Sequence, residues 1–151
     1  MRWLNTDPKF VSYVAEALKI VPTSTACQIA EFDNEIPIAS VLFDGYNGQS
    51  IHAHIWISPL RSPSRLFYWA VCDYAFNKLH VQNVVGTVPR GFERAHRLNR
   101  HMGFRDVGLL ANYYPDGDDM LLMICTPETV FDFGRLKPRH FQPFSDVTIA
   151  A

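Results

Sequence analysis

The chain has 151 residues, which is enough for one domain of ordinary size with a core that needs no disulfides. Apolar residues make up 48% of it and charged residues 19%, a balance typical of a globular protein and not of a disordered one. The net charge of −1 provides no protein-wide positive field, so it argues against nucleic acid as a partner. Any anion-binding site must therefore be local.

Three cysteines, Cys27, Cys72 and Cys125, are widely separated in the chain. An odd number without a Cys-x-x-Cys pair argues against a disulfide framework and against a cysteine zinc site. We therefore expect reduced, mostly buried thiols in a cytoplasmic protein.

The N-terminal residues contain no apolar segment of signal-peptide length, and no apolar run is long enough to span a bilayer. We expect no contact with a membrane.

The first half of the chain predicts one helix and then an antiparallel meander. Asp7 and Pro8 supply an N-cap and a first-turn proline, and apolar residues at helical spacing extend this helix to about Lys19. Apolar segments follow at residues 26–32, 36–43 and 51–57, with Pro37 near the start of the second. Because the turns between them are short, we expect three antiparallel strands.

The next part predicts a helix that crosses between two strands. Ser62-Pro63 repeats the helix-start signal, and a wide apolar stripe follows from Leu66 to Leu79. Residues 84–88 then form a buried strand. We expect this strand to run parallel to residues 51–57, because a helix lies between the two.

The remaining residues predict a second helix, a hairpin and a tail. The helix spans about residues 91–102, with Gly103 as its left-handed cap, and should bury Phe92, Ala95, Leu98 and Met102. Residues 107–114 and 120–125 form the hairpin. Residues 126–151 are rich in proline and phenylalanine, and we expect an irregular tail packed on the domain or on a partner. Its aromatic residues could form a docking surface: Phe131, Phe133, Phe141 and Phe144.

This order of elements predicts an α/β domain of the α+β kind over residues 1–125. Its sheet should be mixed and mostly antiparallel, with about six to seven strands and helices on both faces.

Residues 84–104, VVGTVPRGFERAHRLNRHMGF, place an apolar strand before a short basic helix that ends at Gly-Phe. With the element order, this segment resembles the GCN5-related N-acetyltransferase superfamily over residues 8–125. The last helix of that family usually contains Asn-x-x-Ala-x-x-Leu-Tyr-x-x-x-Gly-Phe. Four positions match in register (Ala95, Leu98, Gly103 and Phe104), whereas Phe92 replaces the asparagine and Asn99 replaces the tyrosine. Short, divergent proteins of this kind are familiar among phage-encoded proteins, some of them virion-associated.

The resemblance implies acetyl-CoA as the co-substrate. In the family, a Gln/Arg-x-x-Gly-x-Gly/Ala loop and the helix after it hold the diphosphate with backbone N–H groups. Here Arg65 and Phe67 stand at the glycine positions, and Pro63 has no N–H to donate. The helix start is still flanked by side chains that we expect to bind phosphate: Arg61, Ser62, Ser64 and Arg65.

The resemblance also implies that the third meander strand pairs with the pantetheine arm through the backbone of Ile55, Trp56 and Ile57. Asn99 should lie near the thioester, where it can hydrogen-bond but cannot replace tyrosine as an acid. His54 has a pKa suited to a general base, and Tyr113 could serve as the acid. Each of these residues also has a structural explanation, which we favour. His54 can be a polar residue on a half-exposed sheet face, and Tyr113 and Tyr114 can pack against the neighbouring strand. We see no metal site, because His52 and His54 have no third ligand.

Two functions follow from these residues. The preferred one is transfer of an acetyl group from acetyl-CoA to an amine, which could belong to a small molecule or a protein. The rival is a non-catalytic binding or virion-assembly protein that kept the fold and lost the cofactor, as Arg65, Phe67 and Asn99 would suggest. A strip of basic residues could contact coenzyme A phosphate or RNA, but a solvated helix face explains it more simply: Arg90, Arg94, Arg97, Arg100 and Arg105. A homodimer remains open.

Overall fold

The computed structural model of the chain describes residues 1–131, which form one sheet with helices on both faces. The strands are β1 (Arg2–Asn5), β2 (Cys27–Asp33), β3 (Ile36–Asp44), β4 (Ser50–Ile57), β5 (Asn83–Pro89), β6 (Arg105–Leu110) and β7 (Met120–Cys125). A 3-10 turn (Pro8–Phe10) precedes α1 (Val11–Leu18), α2 (Arg65–Cys72) continues as a π-helix (Asp73–Lys78), and α3 is Glu93–Met102. The predicted α+β class is confirmed.

The seven strands lie in the order β1-β2-β3-β4-β5-β7-β6. Every neighbouring pair is antiparallel except β4 and β5, whose predicted parallel pairing is confirmed. The sequence did not predict β1, a four-residue strand at one edge of the sheet. It is held to β2 in part by Trp3, whose ring stacks on Phe32 with the ring centroids 4.9 Å apart.

Alternating side chains of the strands bury two separate apolar clusters, one on each face of the sheet. On one face, α2 and α3 cover inward residues such as Phe43, Ile51 and Val84. On the other face, Val14 and Ala15 of α1 pack on Leu42 of β3. The expectation of helices on both faces is therefore correct, and the larger cluster lies under α2 and α3.

Two details of the helices differ from the prediction. The N-cap of α2 is Ser64 and not Ser62, because the Ser64 hydroxyl accepts a hydrogen bond from the Phe67 N–H at 3.2 Å. Phe92 was expected to be buried in the last helix, but it is 54% exposed. The helix begins only at Glu93, so the Phe92 backbone is not helical and does not direct its ring to the core.

The Gly-Phe pair after α3 closes the helix against the chain that follows β7. Gly103 has φ +110°, and a Cβ there would lie 2.2 Å from the Thr129 carbonyl oxygen, so only glycine fits. Val130 packs on the larger cluster, and the Phe131 N–H donates to the Met102 oxygen at 3.0 Å. Residues 126–131 of the expected tail thus pack on α3. Phe133, Phe141 and Phe144 lie outside the described residues.

The three cysteines are free thiols, with Cys125 buried and Cys27 and Cys72 half-buried. Among the described residues, no helix has the length and apolar character needed to cross a membrane.

Candidate functional site

A wedge-shaped gap opens between the two parallel strands at the centre of the sheet. β4 and β5 pair only where Ser50–His52 face Asn83–Val85. Beyond this point β4 continues along β3 as far as Ile57, and β5 continues along β7 as far as Pro89. The two strands therefore separate toward their C-terminal ends, and each leaves one backbone edge without a strand partner.

The register of β3 and β4 determines which backbone groups line this gap. The Ser58 N–H donates to the Ile38 oxygen at 2.8 Å, and Trp56 lies opposite Ser40 two residues earlier. Backbone groups in an antiparallel pair alternate between the two sides of a strand. Those of Trp56 thus point to β3, whereas those of Ile55 and Ile57 point into the gap. Of the three residues expected to meet a pantetheine arm, only these two offer free backbone groups.

Three arginines lie near the C-terminal end of β4 or in the segment that follows it. Arg94 of α3 reaches across to the end of β4, where its Nη2 donates to the Ser58 oxygen at 3.1 Å. Arg61 pairs with Asp33, with 2.7 Å between Nη1 and Oδ2. Arg65 is exposed, and its side chain has no hydrogen bond or ion pair among the described residues. Phe67, at the other glycine position, is 1% exposed and packs in the core.

The start of α2 is bonded to a buried carboxylate that the sequence did not single out. The Ser64 N–H donates to Glu31 Oε2 at 2.8 Å, and Glu31 is 1% exposed. Arg2 lies 3.9 Å from the other carboxylate oxygen and donates to the Ser62 oxygen at 3.0 Å. The sequence could have indicated that Glu31 is buried, because alternation along β2 places it on the same face as the buried Ile29.

His54 lies on the opposite face of the sheet from α2, half-buried and across from Leu42. Burial lowers its pKa below 6.5, the charge of His52 lowers it further, and Asp44 acts to raise it. For Asp44, burial acts to raise the pKa, but hydrogen bonds from Thr23 and from the Gly45 N–H outweigh it and the pKa is lowered. At neutral pH the imidazole is therefore mainly neutral, as a general base must be. An ionised carboxylate, that of Asp44, lies near it.

Two adjacent tyrosines differ in how they approach this face. Tyr113 is 56% exposed, and its ring meets Tyr114 edge-on at 5.0 Å. Tyr114 is half-buried, and burial raises its pKa although a hydrogen bond with Thr87 acts to lower it. Since His52 pairs with Val85, the side chain of Thr87 shares the sheet face of His54, across the gap. The structure therefore brings Tyr114, rather than Tyr113, to the strand that lines the gap.

Asn99 lies on the other face, on α3. It is 8% exposed, and its Nδ2 lies 3.8 Å from the sulfur of Met123. A small apolar pocket with a volume of about 10 Å³ lies near the point where the gap begins, and it is partly open to solvent. Its lining includes Ala53, Ile55, Val84, Cys72 and Cys125. Burial raises the pKa of the Cys125 thiol to about 11 and that of Cys72 further, so neither thiol is a ready nucleophile.

Most of the remaining charged candidates have structural partners. Arg100 and His96 both bond Asp106, at 2.6 Å and 3.0 Å, and Arg90 pairs with Asp119 at 3.2 Å. Asp118 accepts from the Gly91 N–H at 3.0 Å, which ties the hairpin to the start of the last helical segment. The basic strip thus fits a solvated, paired helix face. Among residues 1–131, no group of three or more His, Cys, Asp or Glu could hold a metal ion.

No protein-family model and no curated protein matches this sequence. Solved structures do match the fold, and several are of the spermidine N-acetyltransferase SpeG from Vibrio cholerae. Its complex with CoA and spermine has a TM-score of 0.67 and 14% identity, over 85% of this chain and 96% of that one. A dodecameric form of the spermidine enzyme in an intermediate state has a TM-score of 0.66 and 15% identity, over 83% of this chain and 93% of that one. The spermidine/spermine N-acetyltransferase SpeG in complex with manganese ions has a TM-score of 0.66 and 15% identity, over 83% of this chain and 92% of that one.

These similarities define the architecture. The chain has the GCN5-related N-acetyltransferase fold, as its last helix and element order predicted. At 14–15% identity, the similarity extends to the fold and not to an activity.

Proposed function

We propose that the protein is an acetyl-CoA-dependent N-acetyltransferase. The observation that carries this proposal is the early end of the β4–β5 ladder, which leaves the backbone of Ile55 and Ile57 facing a gap between two strands. An extended amide-containing arm can add to such an edge as a further strand would. The CoA complex of SpeG, which shares the fold, supports coenzyme A as the source of that arm.

In this proposal each face of the sheet has its own part in the reaction. The thioester lies at the gap, with Asn99 on the α3 side and His54 on the other. The amine nitrogen attacks the thioester carbon, the C–S bond breaks, and His54 takes the proton that the nitrogen loses. The departing thiolate takes a proton from a tyrosine of the Tyr113–Tyr114 pair, of which Tyr114 lies nearer the gap.

Arg61, Ser62, Ser64 and Arg65 flank the start of α2 with Arg94 beside them, and any contact with a phosphate of the co-substrate would come from these side chains. The acceptor is an amine of a small molecule or a protein. Three free thiols, two of them with strongly raised pKa values, support a reducing compartment such as the cytoplasm.

A thermal shift with acetyl-CoA, followed by a thiol-release assay against a panel of amines, tests the proposal. Acetyl-CoA at a hundred times its dissociation constant should stabilise the protein by about 2.7 kcal/mol. His54→Gln should keep the shift and lose turnover. A protein that neither shifts with millimolar acetyl-CoA nor releases thiol with any amine is not this enzyme.

A specific observation favours a second function, that of a binding or virion-assembly protein on an inactive scaffold. Glu31 bonds the start of α2, Arg94 reaches across the wide end of the gap, and Asn99 replaces a tyrosine. A failed thermal shift with acetyl-CoA, together with a stable complex between this chain and another protein of its source, would favour this alternative.

A further inference from the structure

The buried Glu31 carboxylate lies where an anion would be held by the first turn of α2. Its Oε2 accepts from the Ser64 N–H at 2.8 Å, and the side chain is 1% exposed. A helix start attracts anions because its first N–H groups have no partner within the helix. Here one of those groups already has an anionic acceptor from the chain itself.

The other N–H groups of this segment are also reduced in number. Pro63 has none, and the Phe67 N–H donates to the Ser64 hydroxyl at 3.2 Å. Between residues 63 and 67, only Arg65 and Leu66 keep backbone N–H groups without an acceptor among the described residues. Two donors cannot surround a diphosphate as a full loop does.

Two arginines near the start of α2 are paired with acids, whereas Arg65 has no such partner among the described residues. Arg2 lies 3.9 Å from Glu31, and Arg61 lies 2.7 Å from Asp33. Glu31 also acts electrostatically on Tyr68 of α2. The pKa of Tyr68 is raised, first by burial and then by Glu31, while Arg94 acts to lower it. A diphosphate bound here would thus lie beside a buried carboxyl group, where solvent screening is weak.

We propose that Glu31 determines donor specificity by excluding the diphosphate from the start of α2, so that acyl donors are recognised through their pantetheine arm. This inference rests on the proposed function and refines its donor class. Donors that carry the arm without the nucleotide diphosphate are then bound almost as well as coenzyme A. The Ile55 and Ile57 backbone, which faces the gap, supplies the common contact.

Calorimetric titration of CoA and of pantetheine, which has no phosphate, tests the inference at physiological salt. For the unaltered protein we expect the two dissociation constants to agree within about tenfold. In Glu31→Gln the amide oxygen can still accept from Ser64, but the negative charge is gone. The dissociation constant of CoA should then fall by at least about tenfold, while that of pantetheine changes by less than about twofold.

The matched control is Glu16→Gln, which makes the same change of charge on an exposed residue of α1, on the opposite face of the sheet. It should alter neither constant, which separates a local effect of Glu31 from a change in net charge.

The outcomes are distinct. CoA binding that tightens in Glu31→Gln while pantetheine binding stays the same would support the inference. CoA bound at least about a hundredfold more tightly than pantetheine by the unaltered protein would overturn it and leave the proposed function standing, and this comparison needs no variant to fold. Equal CoA binding by a folded Glu31→Gln would also overturn it. Failure of every protein to bind either ligand would overturn the proposed function, and the inference with it.

Discussion

At the scale of single residues, the most informative side chain is His54. Its imidazole is half-buried, near a second histidine and a carboxylate, and these groups act on its pKa in opposite directions. Burial is the largest influence, so the folded protein favours the neutral form. The sequence favoured a structural role for this histidine on a half-exposed strand. The structure adds a nearby acid, Asp44, whose hydrogen bonds hold it ionised.

The lowered pKa of His54 predicts a dependence of stability on pH. Between the folded pKa and 6.5, the unfolded chain binds a proton that the folded chain does not, so the free energy of unfolding should rise with pH across this window. His54→Gln should flatten that rise, as measured by urea unfolding at several pH values. A variant with an unchanged slope would contradict the assignment.

The same residue predicts the pH dependence of catalysis. A base with a lowered pKa is already neutral at pH 7, so the acidic limb of kcat/KM should lie below 6.5. Asp44→Asn removes the charge that raises this pKa, so it should move the limb to still lower pH. His54→Gln should reduce kcat by about a hundredfold or more, with little change in acetyl-CoA affinity. A limb that moves upward in Asp44→Asn would show that another group titrates.

At the scale of elements, β4 has two backbone edges with different roles. The register assigns the Trp56 backbone to β3 and the Ile57 backbone to the gap. Proline should therefore be tolerated at one position and not at the next, because it removes one backbone N–H. This contrast depends on the gap alone and not on any ligand.

We expect Trp56→Pro to be less stable than Trp56→Ala by at least about 2 kcal/mol, since it leaves a ladder acceptor without its donor. Ile57→Pro and Ile57→Ala should differ by less than about 1 kcal/mol. The alanine variants account for the lost side chains. Urea unfolding measures all four, and similar penalties at both positions would mean that the gap is closed in solution.

Periodicity and connection length explain which elements could be predicted from the sequence. The apolar spacing of α1, the short turns of the meander and the helix between β4 and β5 are local signals, and the structure confirms each of them. β1 was missed because four residues with one inward apolar side chain, Leu4, show no periodic pattern. The π-helix was missed because its first residues continue the apolar stripe of α2, and only the bond from the Leu79 N–H to the Tyr74 oxygen reveals it.

The candidate site was less predictable, for a physical reason. The match of Ala95, Leu98, Gly103 and Phe104 to a family pattern indicated the fold. However, the backbone edge that faces the gap depends on strand register, and the bond between Glu31 and Ser64 joins residues 33 positions apart. Neither is encoded in any short segment.

At the scale of the whole molecule, the end of the described chain seals the last helix. Thr129 and Val130 lie against Gly103, and Phe131 bonds the Met102 oxygen and stacks on His101 with the ring centroids 5.4 Å apart. Residues 126–131, the first part of the expected tail, therefore lie against the domain.

We expect a chain that ends after Cys125 to be less stable than one that ends after Phe131, by about 2 to 4 kcal/mol, because it loses the packing of Val130 and the bonds to α3. Calorimetry should show a difference in Tm of several degrees for a domain of this size. Glu128→Ala, a change at an exposed position in the same segment, should leave Tm unaltered. Equal Tm values for the two shortened chains would contradict the role of this segment.

The position of β7 between β5 and β6 has a consequence for biosynthesis. β6 leaves the ribosome before β7, yet its ladder is made with β7 and no other described strand. β6, which carries exposed apolar side chains such as Val107 and Leu109, therefore has no neighbouring described strand until β7 is made. A nascent chain of this topology completes its described sheet only when β7 is available, and it is most prone to misassociation before that point.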